Sequence, residues 1–247
     1  MTRPLRVILL VLGLSCVLVA VYRLARPVWA PVVIKIRGGE TVSSVLAKTK
    51  AKGLGLSAAE KDWVRDLTLI GLKEERVVEV WGFDGGGRRE RLRTYPFHGY
   101  SGELGPKLRE GDGQIPEGVY RIEYLNPNSS YHLSLKIDYP NEFDREKGKA
   151  EGRERLGFDI FFHGNSVTVG CIPIGDEAIE DLFTLVAQIG ADRVGVIIAP
   201  WDFRVRVDEP SIAGVEWESE LYENVREAMR PFHPAEPTAI SRPSPAP

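Results

Sequence analysis

The chain has 247 residues, 43% of them hydrophobic, a formal net charge of −3 and an isoelectric point near 5.9. That length and apolar content exclude a wholly disordered chain and allow one large domain with a true core. The slight acidity excludes a nucleic-acid partner of the usual kind, because phosphate binding needs a dense cationic face and the sequence offers none.

Residues 1–30 differ from everything after them. Arg3 and Arg6 precede an uncharged apolar run over residues 7–22, and Arg23 and Arg26 follow it. This is the pattern of an export signal, either a signal anchor or a signal peptide. The run is slightly shorter than the ~20 residues of a spanning helix. Pro31 disfavours cleavage after Ala30, and the reading adopted is an uncleaved anchor with the remainder outside the cytoplasm. Of the two cysteines, Cys16 falls inside this segment, so Cys171 has no disulfide partner in the exported part. A lone thiol in an oxidising compartment is either buried or employed.

Residues 31–68 read as a small helical prefix. A weak strand pattern over residues 32–36 leads to helical stretches at 40–52 and 57–67, the second opened by a capping box of Ser57 and Glu60. From residue 69 to 207 the period becomes that of strands. Apolar runs at 67–72 and 76–83 flank Lys73, Glu74 and Glu75, and a glycine break at 84–87 leads into residues 88–97, giving hairpins with the arginines of RRERLR in water. Pro96 and the glycines at 99, 102 and 105 break the sheet with a long irregular segment over residues 95–122, and strand alternation resumes at 119–124. Residues 131–139 read as a strand with Leu133, Leu135 and Ile137 on one face, and the charged stretch 144–157 reads as a solvated loop or a flap over a cleft.

The stretch 158–173, FDIFFHGNSVTVGCIP, carries the chemistry. His163 and Cys171 lie eight positions apart, each entered from an apolar run and each beside a glycine, Gly164 and Gly170. An even separation lets both side chains share one face if the intervening bend keeps the alternation. A thiol becomes a strong nucleophile only when deprotonated, so an imidazole within reach and backbone amides for the developing oxyanion are the groups such a site needs. After it, a helix is expected with Asp176 as N-cap, apolar residues at 179, 182, 183, 186 and 189, and Gly190 as its stop. A strand over 193–199, a further strand over 201–207, a C-terminal helix within 208–230 and a disordered proline-rich tail over 231–247 complete the reading.

These residues resemble the L,D-transpeptidase catalytic domain family (YkuD type), and in particular its YafK-like branch, in which HG is followed closely by GC. The resemblance extends over about residues 69–199, through the segments GPK, GDG and PEG after residue 104 and YHLS, YPN and D after residue 130. The family implies a mainly β fold with helices (α+β), a β-sandwich-like mixed sheet, with Cys171 as nucleophile, His163 as base and the backbone of Gly164 and Gly170 at the oxyanion. Tyr131, His132, Tyr139 and Asn141 match the family segment and are expected to line the cleft, and Ser166 and Thr168 to orient His163 or substrate. One departure stands out: the common signature Ser-His-Gly-Cys is here Thr168-Val169-Gly170-Cys171.

The implied partner is the peptidoglycan stem peptide, on the periplasmic side of the cell envelope. The implied reaction is acyl transfer through a Cys171 thioester, resolved by an amine in a transpeptidase or by water in a hydrolase. A catalytically silent wall-binding module is the alternative from a different class. Thiol redox chemistry lacks a resolving cysteine. No pair of histidines, cysteines or carboxylates has metal-ligand spacing and no glycine-rich loop opens a helix, so no metal, nucleotide or other cofactor is expected. Oligomeric state stays open.

Overall fold

The computed structural model describes residues 38–233. The apolar segment 1–30, the weak strand at 32–36 and most of the proline-rich tail lie outside these residues. Among the described residues no helix is long and apolar enough to cross a membrane.

The centre of the fold is β1 (Asp66–Leu72), whose apolar residues serve both sides of a sheet: Leu67 and Leu69 face one core, Ile70 and Leu72 the other. A strand buried on both faces needs a near-continuous apolar run, and β1 has one. It pairs antiparallel with β2 (Val77–Phe83), which pairs in turn with β3 (Arg89–Pro96) at the sheet edge, with Arg89 and Arg91 exposed as expected, while Arg93 is drawn inward to Glu60 and Asp181 instead of standing in water. On its other side β1 runs parallel to β8 (Val194–Ala199).

β4 (Gly118–Ser129) pairs first with β8 and further along with β5 (His132–Ile137), and register shifts along its length bend it between the two. β6 (Phe161–His163) and the two-residue β7 (Ile172–Pro173) complete the order β3-β2-β1-β8-β4-β5-β6-β7. The result is one continuous mixed eight-stranded sheet within an α+β architecture.

Five α-helices accompany the strands among the described residues: α1 (Val42–Ala51), α2 (Ala58–Trp63), α3 (Glu142–Ala150), α4 (Asp176–Ile189) and α5 (Glu218–Met229). α4 covers one face of the sheet with Ile179, Leu182, Phe183 and Val186, while α5 covers the other with Leu221, Tyr222, Val225 and Met229. α1 carries a Thr41 cap and α2 the expected Ser57/Glu60 box. α1 sits against α4, where Thr49 and Thr184 share a buried 2.7 Å hydroxyl contact, and Asp181 accepts the amide of Gly55 in the link between α1 and α2.

The glycine-rich segment after β3 is irregular but firmly held. The Lys73 ammonium lies 2.8 Å from Glu117, both side chains wholly buried, and donates to the carbonyls of Gly105 and Ile115. Glu117 also accepts the Gly105 amide and the Tyr222 hydroxyl, each at 2.7 Å. Burial pulls the Lys73 pKa below its ordinary value and Glu117 opposes that shift. Such a pair survives out of water only when its remaining donors and acceptors are satisfied, as they are here.

Four expectations change. Residues 142–150 are helical rather than a solvated loop, because Asn141 and Asp144 close a capping box at the start of α3. Asp176 is the first residue of α4, and Gly175, with φ of 85°, occupies the cap position. Residues 201–207 form turns instead of a strand, with Asp202 accepting the Arg204 amide and pairing with its guanidinium. The tail begins packed, since the buried Phe232 stands edge-on to Trp81 with ring centroids 5.7 Å apart.

Candidate active site

β6 and β7 run parallel, with Phe162 opposite Ile172 and His163 opposite Pro173. Phe162 and Ile172 are both fully buried, so the pleat sends their neighbours to the other face. Continuing the register by one residue sets Cys171 beside Phe161, on the face that His163 shares. The strand pattern expected over 158–162 is reduced to Phe161–His163, and the return over 169–174 to two residues, yet the alternation survives.

His163 is 2% exposed. Its Nδ1 is 2.5 Å from the Gly164 carbonyl, which accepts; Nδ1 therefore carries the proton and Nε2 keeps the lone pair. The Tyr131 ring lies over the imidazole at 4.8 Å between centroids, tilted by 37°. Burial lowers the His163 pKa below its ordinary value, and the Gly164 carbonyl and the Asp176 charge act against that shift.

The Cys171 thiol is partly exposed and donates to the Asp159 carbonyl at 3.6 Å. Burial pushes its pKa up, as does the Asp159 charge. A backbone hydrogen bond from Phe161 and the positive charge of Lys107 push it down. With the base shifted low and the thiol shifted high, the resting pair is neutral, and charge separates only when the proton moves from sulfur to nitrogen.

The loop between the two residues is fixed from outside. Gly170 adopts φ of 98° and its amide donates to Ser101 Oγ at 2.7 Å. A Cβ there would come within 2.9 Å of the Gln114 carbonyl, so the glycine-rich segment and the thiol loop fit only without a side chain. Thr168 Oγ1 donates to the Cys171 carbonyl at 2.6 Å. Ser166 lies on the turn after His163 and lines a cavity of about 910 Å³ together with His98, Asn165, Asp176, Glu177 and Asp181.

The structure sets the Tyr131 ring against His163 and ties Thr168 to the Cys171 carbonyl, and it reassigns others. Tyr139 is only 3% exposed and its hydroxyl donates to the Leu156 carbonyl, so it serves packing and does not line a cleft. Asn141 spends its side chain on the α3 cap and on the Val119 carbonyl. His132 is held to Glu180 at 2.8 Å. The two glycine amides expected at the oxyanion are already committed, that of Gly164 to the Leu133 carbonyl and that of Gly170 to Ser101. Ser101, Asp159 and the second role of Asp176 escaped the sequence, since their partners lie 69, 12 and 11 positions away.

The site's frame is a mixed sheet with a buried histidine on β6 and a partly exposed cysteine in the residue just before β7. Residues 67–198 match the YkuD family, the L,D-transpeptidase catalytic domain, and the chain belongs to that family. The curated relatives include "Putative L,D-transpeptidase YafK" from Escherichia coli (strain K12), 34% identical over 134 residues, which are 52% of this chain and 52% of that protein. The chain spans about half the length of the curated relatives it matches.

Among solved structures, the helical cell shape determining protein Pgp2 from Campylobacter jejuni is 21% identical with a TM-score of 0.45, over 66% of this chain and 56% of that one. Bd1075 from Bdellovibrio bacteriovorus is 19% identical with a TM-score of 0.41, over 72% and 58%.

Proposed function

We propose that the chain is a thiol-dependent acyl-transfer enzyme of the bacterial cell envelope, acting on peptidoglycan stem peptides through a Cys171 thioester with His163 as base. What supports this reading is the pairing of β6 with β7, which leaves Cys171 next to the strand that carries His163, together with the Gly164 carbonyl, which fixes the imidazole so that Nε2 can accept a proton. Membership of the L,D-transpeptidase family supports the substrate class.

His163 Nε2 takes the thiol proton, and the Cys171 sulfur attacks a peptide carbonyl. The tetrahedral intermediate collapses with cleavage of the C–N bond, and the imidazolium gives its proton to the departing amine. An incoming amine then attacks the thioester in transpeptidation, or water does so in hydrolysis. Either nucleophile yields its proton to His163, which returns it to the departing sulfur.

The test is incubation of the full chain with defined muropeptides, followed by mass analysis of protein and products. An acyl adduct on Cys171 is expected, with a dimeric product for transpeptidation or a shortened one for hydrolysis. Cys171→Ala should lower turnover by roughly 10⁴-fold or more. Binding of muropeptides with neither adduct nor product would replace this reading with that of a silent wall-binding module.

A further inference from the structure

Asp176 opens α4 without capping it, and its carboxylate turns instead toward the turn that follows β6. One oxygen accepts the Asn165 amide at 2.8 Å. The backbone at Gly164 passes so close that a Cβ there would stand 2.5 Å from the same oxygen. The carbonyl of Gly164 in turn accepts the hydrogen bond from His163 Nδ1–H. A chain of contacts therefore runs from a helix-borne carboxylate through one tight turn to the imidazole.

We propose that Asp176 is a positioning residue of the thiol–imidazole pair, clamping the 164–165 turn so that the Gly164 carbonyl holds His163 with Nε2 as its accepting nitrogen, and setting a negative charge beside the ring. The proposal rests on the reading of His163 as a base. A carboxylate in this place opposes the burial that otherwise disfavours the imidazolium. Of the other titratable groups, Tyr131 lies over the ring from the turn before β5, and Cys171 is the residue just before β7, the strand paired with β6. Further out stand His132 with Glu180 of α4, and His98, whose ring lies against Gly175. A substrate-independent consequence is that Asp176 governs how readily the proton leaves the thiol.

The test compares the full chain with Asp176→Asn, Asp176→Ala and His163→Gln. Asp176→Asn keeps an oxygen to accept the Asn165 amide while removing the charge, so it should melt close to the parent even if Asp176→Ala fails to fold. The titration of His163, followed by its ring proton resonance, should move down by about 1 pH unit in Asp176→Asn. Carbamidomethylation of Cys171 by iodoacetamide near neutral pH should slow several-fold. A His163 titration and an alkylation profile that both superimpose on the parent would overturn the proposal. If His163→Gln leaves the alkylation profile unchanged, the base reading under Proposed function falls instead, and the His163 resonance in Asp176→Asn still decides what Asp176 does.

Discussion

Thr168 shows how much one hydroxyl holds at the site. It donates to the carbonyl of Cys171 three residues on, closing the loop that presents the sulfur. Thr168→Val keeps the shape and removes the bond, at a cost of about 1 kcal/mol in stability. The consequence to measure is the alkylation rate of Cys171, which should change while the melting temperature moves only slightly; an unchanged rate would make Thr168 a bystander. His163 and Cys171 stand out in the sequence through local signals, even spacing and flanking glycines, and their catalytic roles are the ones proposed above. Tyr139 and Asn141 were misjudged for a physical reason: the same residue types that bind a ligand also satisfy buried carbonyls and helix ends, and only the fold decides which carbonyl or helix end is near. In this chain Leu156 and α3 claimed them.

At the scale of elements, α3 carries an unusual carboxylate. Asp144 is buried, accepts the Asn141 amide and is approached by the Tyr120 hydroxyl, and burial raises its pKa from 3.8 to about 6. Its folded value lies above its unfolded one, so the native state holds a proton that the unfolded chain has released. That contribution to stability is present below about pH 4 and is lost as pH rises toward 6, on the order of 2–3 kcal/mol in all. Asp144→Asn should flatten this part of the stability profile in urea titrations between pH 4 and 6. The opposite sign is found at α2, where Arg93 helps hold Glu60 down to about 2, so that its stabilisation is lost on acidification. α3 was missed in the sequence because it contains a single large aromatic, Phe143, and its helical state depends on a cap and on the contact of that ring with Trp217, 74 residues away. α4 was legible because its apolar face is self-evident, and Leu182→Ala there should cost about 2–5 kcal/mol.

At the scale of the whole molecule, the strands of the hairpins and the order of helices followed from alternation and glycine breaks, whereas the single continuous sheet did not. The parallel pairing of β1 with β8 joins residues more than 120 positions apart, and the bend in β4 that routes the sheet toward β6 depends on bulges with no sequence signature of their own. α5 is part of this fold and not an appendage, because it covers Ile70, Leu72, Trp81 and Ile197 and its Tyr222 hydroxyl reaches Glu117. Deleting residues 208–233 should therefore abolish cooperative melting and give aggregated protein by gel filtration; a soluble fragment with a sharp transition would contradict that placement.

The burial of Lys73 with Glu117 has a wider consequence. A carboxylate and an ammonium sealed away from water tie the first hairpin, the glycine-rich segment and the C-terminal helix into one knot. That segment, for all its glycines, cannot swing aside as a door would, because doing so would leave an unmatched ion in oil. Slow deuterium uptake at the Gly105 amide, on the timescale of β1 itself, would be the signature of a rim as durable as the core.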